Sequence, residues 1–185
     1  MLRISAGQFK GLHLKTPPKI RATESRVRQA LFNILGESIR GARVLDGCAG
    51  SGSLGCEALS RGAAFVAFVE SDPEAILSIH DNMSRLGIEA SRAVWRLVHL
   101  DIERGLKQLA ALEPPFDVIL IDPPYHTGVA RKSLNTVGEC AMLAPTGLLV
   151  VEHHRRETLP VTVGPLQQIK QHRYGDTVLS FYQAT

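Results

Sequence analysis

The sequence predicts an α/β fold in which a seven-stranded, mostly parallel sheet carries helices on both faces. From residue 42 onward, short apolar runs alternate with longer amphipathic segments, as strands and helices do in parallel sheets. A glycine-rich loop follows the first apolar run and opens a helix. The chain closes with two runs joined by Tyr174-Gly175-Asp176, a turn signal typical of an antiparallel hairpin.

A first helix is predicted from Thr23 to Leu35, after a basic N-terminal arm. Thr23 is a suitable N-cap, and Gly36 follows as a stop. The apolar residues between them recur at helical spacing: Val27, Ala30, Leu31, Ile34 and Leu35. We therefore expect residues 1–40 to form a small basic extension and residues 41–185 to form the main domain.

The alternation predicts each later element in turn. Strands are expected near Arg43 to Asp46, Ala64 to Glu70, Val94 to Leu100, Phe116 to Ile121 and Gly147 to Glu152. Helices are expected near Ser53 to Arg61, Pro73 to Leu86, Ile102 to Leu112 and Gly128 to Met142. Leu166 to Arg173 and Thr177 to Tyr182 form the closing hairpin. Consecutive strands joined through helices imply a parallel sheet with right-handed crossovers.

The composition is that of an ordinary soluble globular protein, with 44% hydrophobic and 21% charged residues among 185. No apolar run approaches the roughly 18 residues of a membrane span, and no signal-peptide core is present. We therefore expect a cytoplasmic protein without membrane contact. Cys48, Cys56 and Cys140 lack the spacing of a disulfide framework or a zinc site, so no metal is expected.

Basic residues are concentrated at the N-terminus. Residues 1–28 contain seven lysines and arginines and a single acid, Glu24, whereas the rest of the chain is net acidic. Such asymmetry is typical of a surface that binds nucleic acid, although a solvated arm that aids solubility is the alternative. The candidate RNA contacts are Arg3, Lys10, Arg21, Thr23, Arg26 and Arg28.

The glycine-rich loop is the candidate cofactor loop. Gly47, Gly50 and Gly52 permit a tight turn and close approach of the backbone to a ligand, although such loops also serve simply as turns. No Lys-Ser or Lys-Thr follows, which disfavours a nucleoside triphosphate. Asp46, which opens the loop, would repel a dinucleotide pyrophosphate and favours a cofactor with an ammonium group.

Carboxylates also end the next two strands. Glu70, beside Ser71, can accept hydrogen bonds from ribose hydroxyls, and Asp101, beside Ile102, can accept one from an adenine amino group. Taken singly, Glu70 could be a surface charge, Asp101 a helix N-cap and Asp46 a loop hydrogen-bonder. Together they indicate a ligand with an amino-acid part, a ribose and an adenine, which describes S-adenosylmethionine.

The tetrapeptide Asp122-Pro123-Pro124-Tyr125 marks the candidate acceptor site. The prolines remove two N–H donors, which leaves a carboxylate and backbone carbonyls as hydrogen-bond acceptors. Such acceptors suit an exocyclic amino group, and the ring of Tyr125 offers a stacking surface for a nucleobase. A Pro-Pro turn that merely ends a strand is the simpler alternative. Asp122, Pro123 and Tyr125 are the candidate catalytic residues, and Asp122 is also a candidate cofactor contact.

These motifs resemble the bacterial RsmD family of 16S rRNA (guanine-N2)-methyltransferases, within the class I S-adenosylmethionine-dependent methyltransferases. The resemblance covers nearly the whole chain, and its most selective parts are Arg26 to Leu35 and the Tyr174-Gly175-Asp176 hairpin. It implies a Rossmann-like class I methyltransferase fold. Two positions depart from the family pattern: Ala22 stands where Pro is common, and Cys48 stands where similar loops more often have Phe.

The resemblance implies methyl transfer to the exocyclic N2 of a guanine in 16S rRNA, within an assembled or partly assembled small ribosomal subunit. No obligate protein partner is expected, so the chain should act as a monomer. Two other functions stay open: a methyltransferase acting on adenine N6 in DNA or on a protein glutamine, and a non-catalytic RNA-binding assembly factor. Five basic or imidazole side chains either line the rim of the candidate acceptor site or are ordinary surface residues. They are His126, His153, His154, Arg155 and Arg156.

Overall fold

Ten strands and five α-helices lie within residues 2–17, 25–88 and 93–185, the part of the chain that the computed structural model describes. The strands are β1 (Leu2–Arg3), β2 (His13–Leu14), β3 (Arg43–Gly47), β4 (Phe65–Glu70), β5 (Trp95–His99), β6 (Phe116–Ile121), β7 (Leu143–His154), β8 (Thr162–Val163), β9 (Leu166–Tyr174) and β10 (Thr177–Ala184). The helices are α1 (Ser25–Leu35), α2 (Ser53–Ser60), α3 (Pro73–Arg85), α4 (Ile102–Leu112) and α5 (Val129–Cys140), with a short 3-10 helix at Gly36–Ile39.

Eight of these strands form one sheet in the order β5-β4-β3-β6-β7-β10-β9-β8. Strands β3 to β7 pair in parallel, while β8, β9 and β10 pair antiparallel to their neighbours. The strand order runs outward from β3 through β4 and β5 on one side and through β6 and β7 on the other. The order therefore reverses between β3 and β6, which is where open α/β sheets bind ligands at the carboxyl ends of their strands.

The predicted α/β fold with a mostly parallel sheet and a closing hairpin is confirmed, and two details differ. The sheet has eight strands rather than seven, because the two-residue strand β8 pairs with the start of β9. A pair of residues is too short for periodicity to reveal. Strand β7 begins at Leu143, before the predicted start, because Pro145 and Gly147 lie within an irregular stretch of its pairing with β6 rather than in a loop.

Two helical layers cover the sheet. Side chains of β3 alternate between them: Val44 packs with α1, α2 and α3, and Leu45 packs with α4 and α5. Phe32 of α1 and Leu106 of α4 are fully buried, one in each layer. Burial of such side chains contributes roughly 1.5–3 kcal/mol each. None of the described helices combines the length and apolar character of a membrane span.

The N-terminal hairpin β1–β2 docks on the C-terminal end of α2. The backbone N–H of Gln8 donates to the Ser60 carbonyl at 2.7 Å. Gly7 has φ +83°, and a Cβ there would lie 1.8 Å from that same carbonyl oxygen. Leu2 and Ile4 are buried in the core layer of α1 to α3. The hairpin is therefore held to the sheet domain by packing as well as by hydrogen bonds.

Candidate functional site

A cleft of about 640 Å³ opens at the carboxyl ends of the parallel strands, across the reversal between β3 and β6. This volume is typical of a small-molecule site. The loops after β3, β4, β5 and β6 and the end of β7 supply its walls. The predicted site residues that line it are Gly50, Glu70, Ser71, Asp101, Ile102, Asp122, Pro123 and Tyr125.

Gly47 and Gly52 shape the cofactor loop from beneath the cleft and are absent from its lining. A Cβ on Gly47 would lie 2.6 Å from Cδ1 of Ile121, so the glycine allows β3 to end close to β6. Gly52 has φ +74°, a conformation that glycine adopts without strain, and it begins α2. Cys48 lines the cleft with φ +60°, and burial raises the pKa of its thiol.

Asp46 is likewise buried beneath the cleft rather than in its wall, with 1% of its surface exposed. Its Oδ2 accepts from the Gly55 N–H at 2.8 Å, which ties the loop to α2. Its Oδ1 has no hydrogen-bond partner among the described residues. Burial raises the pKa of Asp46 well above its ordinary value, and the Gly55 N–H opposes the rise while Asp122 and Glu70 add to it.

Glu70 joins the loops that follow β3 and β4. Its Oε2 accepts from the Gly50 N–H at 2.7 Å, and its Oε1 accepts from the N–H groups of Ser71 and Asp72 at 2.7 and 2.8 Å. Because each carboxylate oxygen offers two lone pairs, Oε2 keeps acceptor capacity on the cleft side. A ribose hydroxyl is a suitable donor for it.

Asp101 and Ile102 form the wall of the cleft after β5, the strand next to the one that ends at Glu70. The Asp101 side chain caps α4 by accepting from the Arg104 N–H at 3.0 Å, so the N-cap interpretation is confirmed. The residue lines the cleft as well, beside the apolar side chains of Leu100 and Ile102. An apolar wall next to a carboxylate suits an adenine ring with its amino group.

The acceptor end of the cleft contains the predicted tetrapeptide, whose Tyr125 contacts two residues that sequence reasoning missed. Pro123 is buried and Asp122 is half-buried. The Tyr125 hydroxyl lies 2.7 Å from Oε1 of Glu152, to which it donates, and 2.7 Å from Oγ1 of Thr177. Glu152 also lines the cleft. Only the strand register reveals these partners, because they lie 27 and 52 residues away in sequence.

The structure divides the predicted RNA contacts. Arg3, Lys10 and Arg26 are exposed, whereas Arg21 and Thr23 lie outside the described residues. Arg28 was predicted wrongly as a surface contact, since only 2% of its side chain is exposed. Its Nη2 donates to the Arg3 carbonyl at 2.5 Å, its Nε lies 3.8 Å from Oε2 of the buried Glu57, and burial lowers its pKa.

The histidines near the cleft have different environments. His126 and His154 form a ring cluster with Tyr125, with centroids 4.6 to 6.4 Å apart. His153 is buried, and its Nε2 lies 2.8 Å from Oγ of Ser180. Burial lowers the pKa of His153. His126 and His154 therefore belong to the rim, and His153 belongs to the sheet interior.

The residues present fit S-adenosylmethionine. Glu70 offers acceptor capacity that suits ribose hydroxyls, and Leu100 and Ile102 offer an apolar surface that suits an adenine ring. Asp46 lies beneath the loop and supports it through the Gly55 N–H. Asp122 lines the same continuous cleft as Glu70 and Ile102. Donor and acceptor of a methyl group can thus share one cleft.

Comparison with known proteins gives the same assignment. The family model described as Conserved hypothetical protein 95 matches residues 2–183. Ribosomal RNA small subunit methyltransferase D of Haemophilus influenzae is 37% identical over 161 residues, covering 85% of this chain and 81% of that protein. The protein of the same name from Escherichia coli K12 is 32% identical over 184 residues, covering 98% and 89%.

A solved structure of a hypothetical protein from Thermus thermophilus superposes with a TM-score of 0.82 at 30% identity, covering all of both chains. Fold, sequence and site geometry therefore agree along the whole chain. This chain belongs to the RsmD family, within the class I methyltransferases.

Proposed function

We propose that this enzyme transfers a methyl group from S-adenosylmethionine to the exocyclic N2 of a guanine in 16S rRNA. The observation that carries the proposal is the continuity of one cleft from the carboxylates Glu70 and Asp101 to the tetrapeptide at Asp122. The names of the relatives, which are small-subunit rRNA methyltransferases, support the substrate class. The choice of guanine N2 rests on the family resemblance.

S-adenosylmethionine supplies an electrophilic sulfonium methyl group when it is bound. Glu70 would hold its ribose, and Asp101 with Ile102 would hold its adenine. Gly50 would present its backbone to the amino-acid part, while Asp46, Gly47 and Gly52 keep the loop in shape. Ser71 completes the wall beside Glu70.

The acceptor residues prepare a poor nucleophile. The lone pair of an aniline-like nitrogen is delocalised into the ring, so the nitrogen must be turned toward the methyl group. The Asp122 carboxylate and the Pro123 carbonyl would accept its two N–H bonds, and Tyr125 would stack on the base. Positioning of this kind can supply several kcal/mol of the barrier. Asp122 or solvent takes the proton that leaves the nitrogen.

The proposed substrate is 16S rRNA within an assembled or partly assembled small subunit, bound by a cytoplasmic monomer. Residues 1–40 would act as the RNA-binding extension and residues 41–185 as the catalytic domain. The exposed residues Arg3, Lys10 and Arg26 would contact phosphates, with Arg21 and Thr23. Phosphate contacts orient a protein on RNA without reading its sequence, so target choice would come from RNA shape and the acceptor pocket.

The decisive experiment offers purified enzyme and isotopically labelled S-adenosylmethionine to small subunits, naked 16S rRNA, duplex DNA and protein. The labelled product is then digested and identified by mass spectrometry. We expect N2-methylguanosine from ribosomal substrate. N6-methyladenine or methylglutamine would replace the proposal with another amine methyltransferase, and absence of transfer to every substrate would favour a non-catalytic assembly factor.

A further inference from the structure

Glu152 is a buried carboxylate at the acceptor end of the cleft, which we call the acceptor pocket. It lies near the end of β7 with 7% of its surface exposed, and it lines the same cleft as Asp122 and Tyr125. Burying a carboxylate is costly unless its oxygens meet suitable donors. The Tyr125 hydroxyl is one such donor, and each carboxylate oxygen can accept a second hydrogen bond.

The strand register places Glu152 beside Asp122. Ile121 of β6 and Val151 of β7 are partners in the parallel ladder, so the residues that follow them lie side by side at the carboxyl ends of adjacent strands. Because side chains alternate along a strand, Glu152 shares the sheet face of Val150, which packs in the layer of α1. The two carboxylates thus meet the acceptor pocket from neighbouring strands.

Glu152 also holds the ring of Tyr125. The phenol donates to Glu152 Oε1 at 2.7 Å and lies equally close to Thr177 Oγ1. These two contacts hold the hydroxyl end of the ring in place, so they fix the orientation of the ring plane on which a base would stack. A neutral hydrogen-bond acceptor would be enough to orient the Tyr125 ring. A carboxylate adds a second oxygen that accepts and never donates while it is ionised.

The edge of guanine offers the complement of two adjacent carboxylates. Guanine places an N1–H donor directly beside its N2 amino group, so three N–H bonds lie along one edge. Adenine carries a lone pair at N1 beside its N6 amino group. A carboxylate at the N1 position would stabilise guanine and repel the adenine lone pair, since a site built to accept a hydrogen bond rejects a base that cannot donate it.

We propose that Glu152 accepts the N1–H of the target guanine and thereby selects guanine over adenine, while the same carboxylate orients Tyr125. This inference rests on the proposed function, because it assumes that the exocyclic N2 of guanine is the methyl acceptor. Asp122 then serves the amino group that reacts, and Glu152 serves the ring nitrogen next to it.

The test compares guanine with 2-aminopurine at the target nucleotide, once that nucleotide has been located by mass spectrometry. 2-Aminopurine keeps the amino group at position 2 but has a lone pair at N1. Small subunits are reconstituted around 16S rRNA carrying either base, and kcat/KM is measured for each. Hydrogen bonds to charged groups correspond to about tenfold to a hundredfold in rate. We expect the wild-type protein to prefer guanine by that factor.

Three variants identify the residue responsible. Glu152→Gln should lower kcat/KM for guanine and reduce the preference to less than about threefold, because the Gln amide can donate to the N1 lone pair. Tyr125→Phe and Thr177→Val remove the hydroxyl contacts while keeping the carboxylate, so they should lower rates for both bases and keep the preference. Equal S-adenosylmethionine affinity and equal melting temperature for wild type and Glu152→Gln would establish that the variant is folded.

Two results would overturn the inference. Equal rates of the wild-type protein on both bases would mean that N1 is not read. Loss of the preference in Tyr125→Phe to the same extent as in Glu152→Gln would mean that the carboxylate only orients the ring. Failure of the proposed function looks different, since it would give no N2-methylguanosine with the unmodified substrate.

Discussion

At the scale of single residues, the proposed chemistry depends first on the carboxylate of Asp122. Asp122→Ala should lower kcat about 100-fold or more, because the amino group loses the acceptor that orients it. Asp122→Asn keeps a carbonyl oxygen at the same place and should retain part of the activity. Single-turnover methyl transfer, together with S-adenosylmethionine affinity measured by calorimetry, checks both variants. Unchanged transfer by Asp122→Ala would remove Asp122 from the mechanism.

Asp46 should make the stability of the protein depend on pH. Its pKa is raised on folding above the ordinary value of 3.8, so the folded chain holds that proton more tightly than the unfolded chain. The contribution of Asp46 to the free energy of unfolding therefore falls as the pH rises from the unfolded pKa through the folded pKa.

Urea unfolding of wild type and Asp46→Asn at about pH 4.5 and about pH 8 measures this effect. The stability of wild type relative to Asp46→Asn should decrease between the two pH values. Ser133→Ala, a change at a fully buried residue without an ionisable group, should give a difference that is independent of pH. A constant difference for Asp46→Asn as well would mean that burial does not perturb this carboxyl.

At the scale of elements, the attachment of the N-terminal hairpin to α2 depends on Glu57. This fully buried carboxylate accepts from the backbone N–H groups of Ser5 and Ala6 at 2.8 and 3.2 Å and pairs with Arg61 at 2.8 Å. It also lies 3.8 Å from Arg28. Helix α2 thus links two parts of the molecule: its N-terminal end follows the cofactor loop, and its C-terminal end holds the hairpin.

Glu57→Ala should therefore cost about 3–5 kcal/mol of stability, because it leaves buried charge on Arg28 without its acidic partner. Hydrogen exchange at residues 4–12 should accelerate more than exchange in β3 or β6. Glu37→Ala is a matched control, since Glu37 pairs with Arg40 on the surface with 89% of its side chain exposed. Such exposed pairs contribute at most about 1 kcal/mol. Equal losses in the two variants would contradict the structural role of Glu57.

The sequence predicted elements well where one local pattern dominates. Both ends of β6 match the prediction, because its apolar run is bounded by Pro115 on one side and Pro123 on the other. Arg28 was misplaced although a signal was present: Leu31, Phe32 and Leu35 lie three, four and seven residues later, which puts Arg28 on the buried face of α1. Glu152 and Thr177 had no such signal, because strand register is decided by packing across the whole sheet.

At the scale of the whole molecule, RNA binding should depend on the hairpin and α1. Arg3, Lys10 and Arg26 are exposed and belong to elements that pack on one face of the sheet. Changing all three to Gln should weaken binding to small-subunit RNA at low salt. The slope of log Kd against log salt concentration should fall by about 0.7–0.9 for each phosphate that the variant no longer neutralises. Cofactor affinity should stay within experimental error.

The matched control for this triple variant removes the same charge from the opposite helical layer, through Arg104→Gln, Lys107→Gln and Lys132→Gln. Filter binding or anisotropy at three salt concentrations distinguishes the two. Equal effects would mean that net charge alone governs binding. A reduced cofactor affinity in the hairpin variant would mean that the basic arm has been assigned to the wrong ligand.

The reversal of strand order between β3 and β6 also separates two evolutionary tasks. The loops after β3, β4 and β5 carry the residues proposed to hold the methyl donor. Asp122 follows β6, while Glu152 and Thr177 belong to β7 and β10. A descendant of this chain can acquire a new acceptor by changing one half of the sheet while the other half is inherited intact. Substrate range and cofactor affinity are therefore separately selectable traits of this fold.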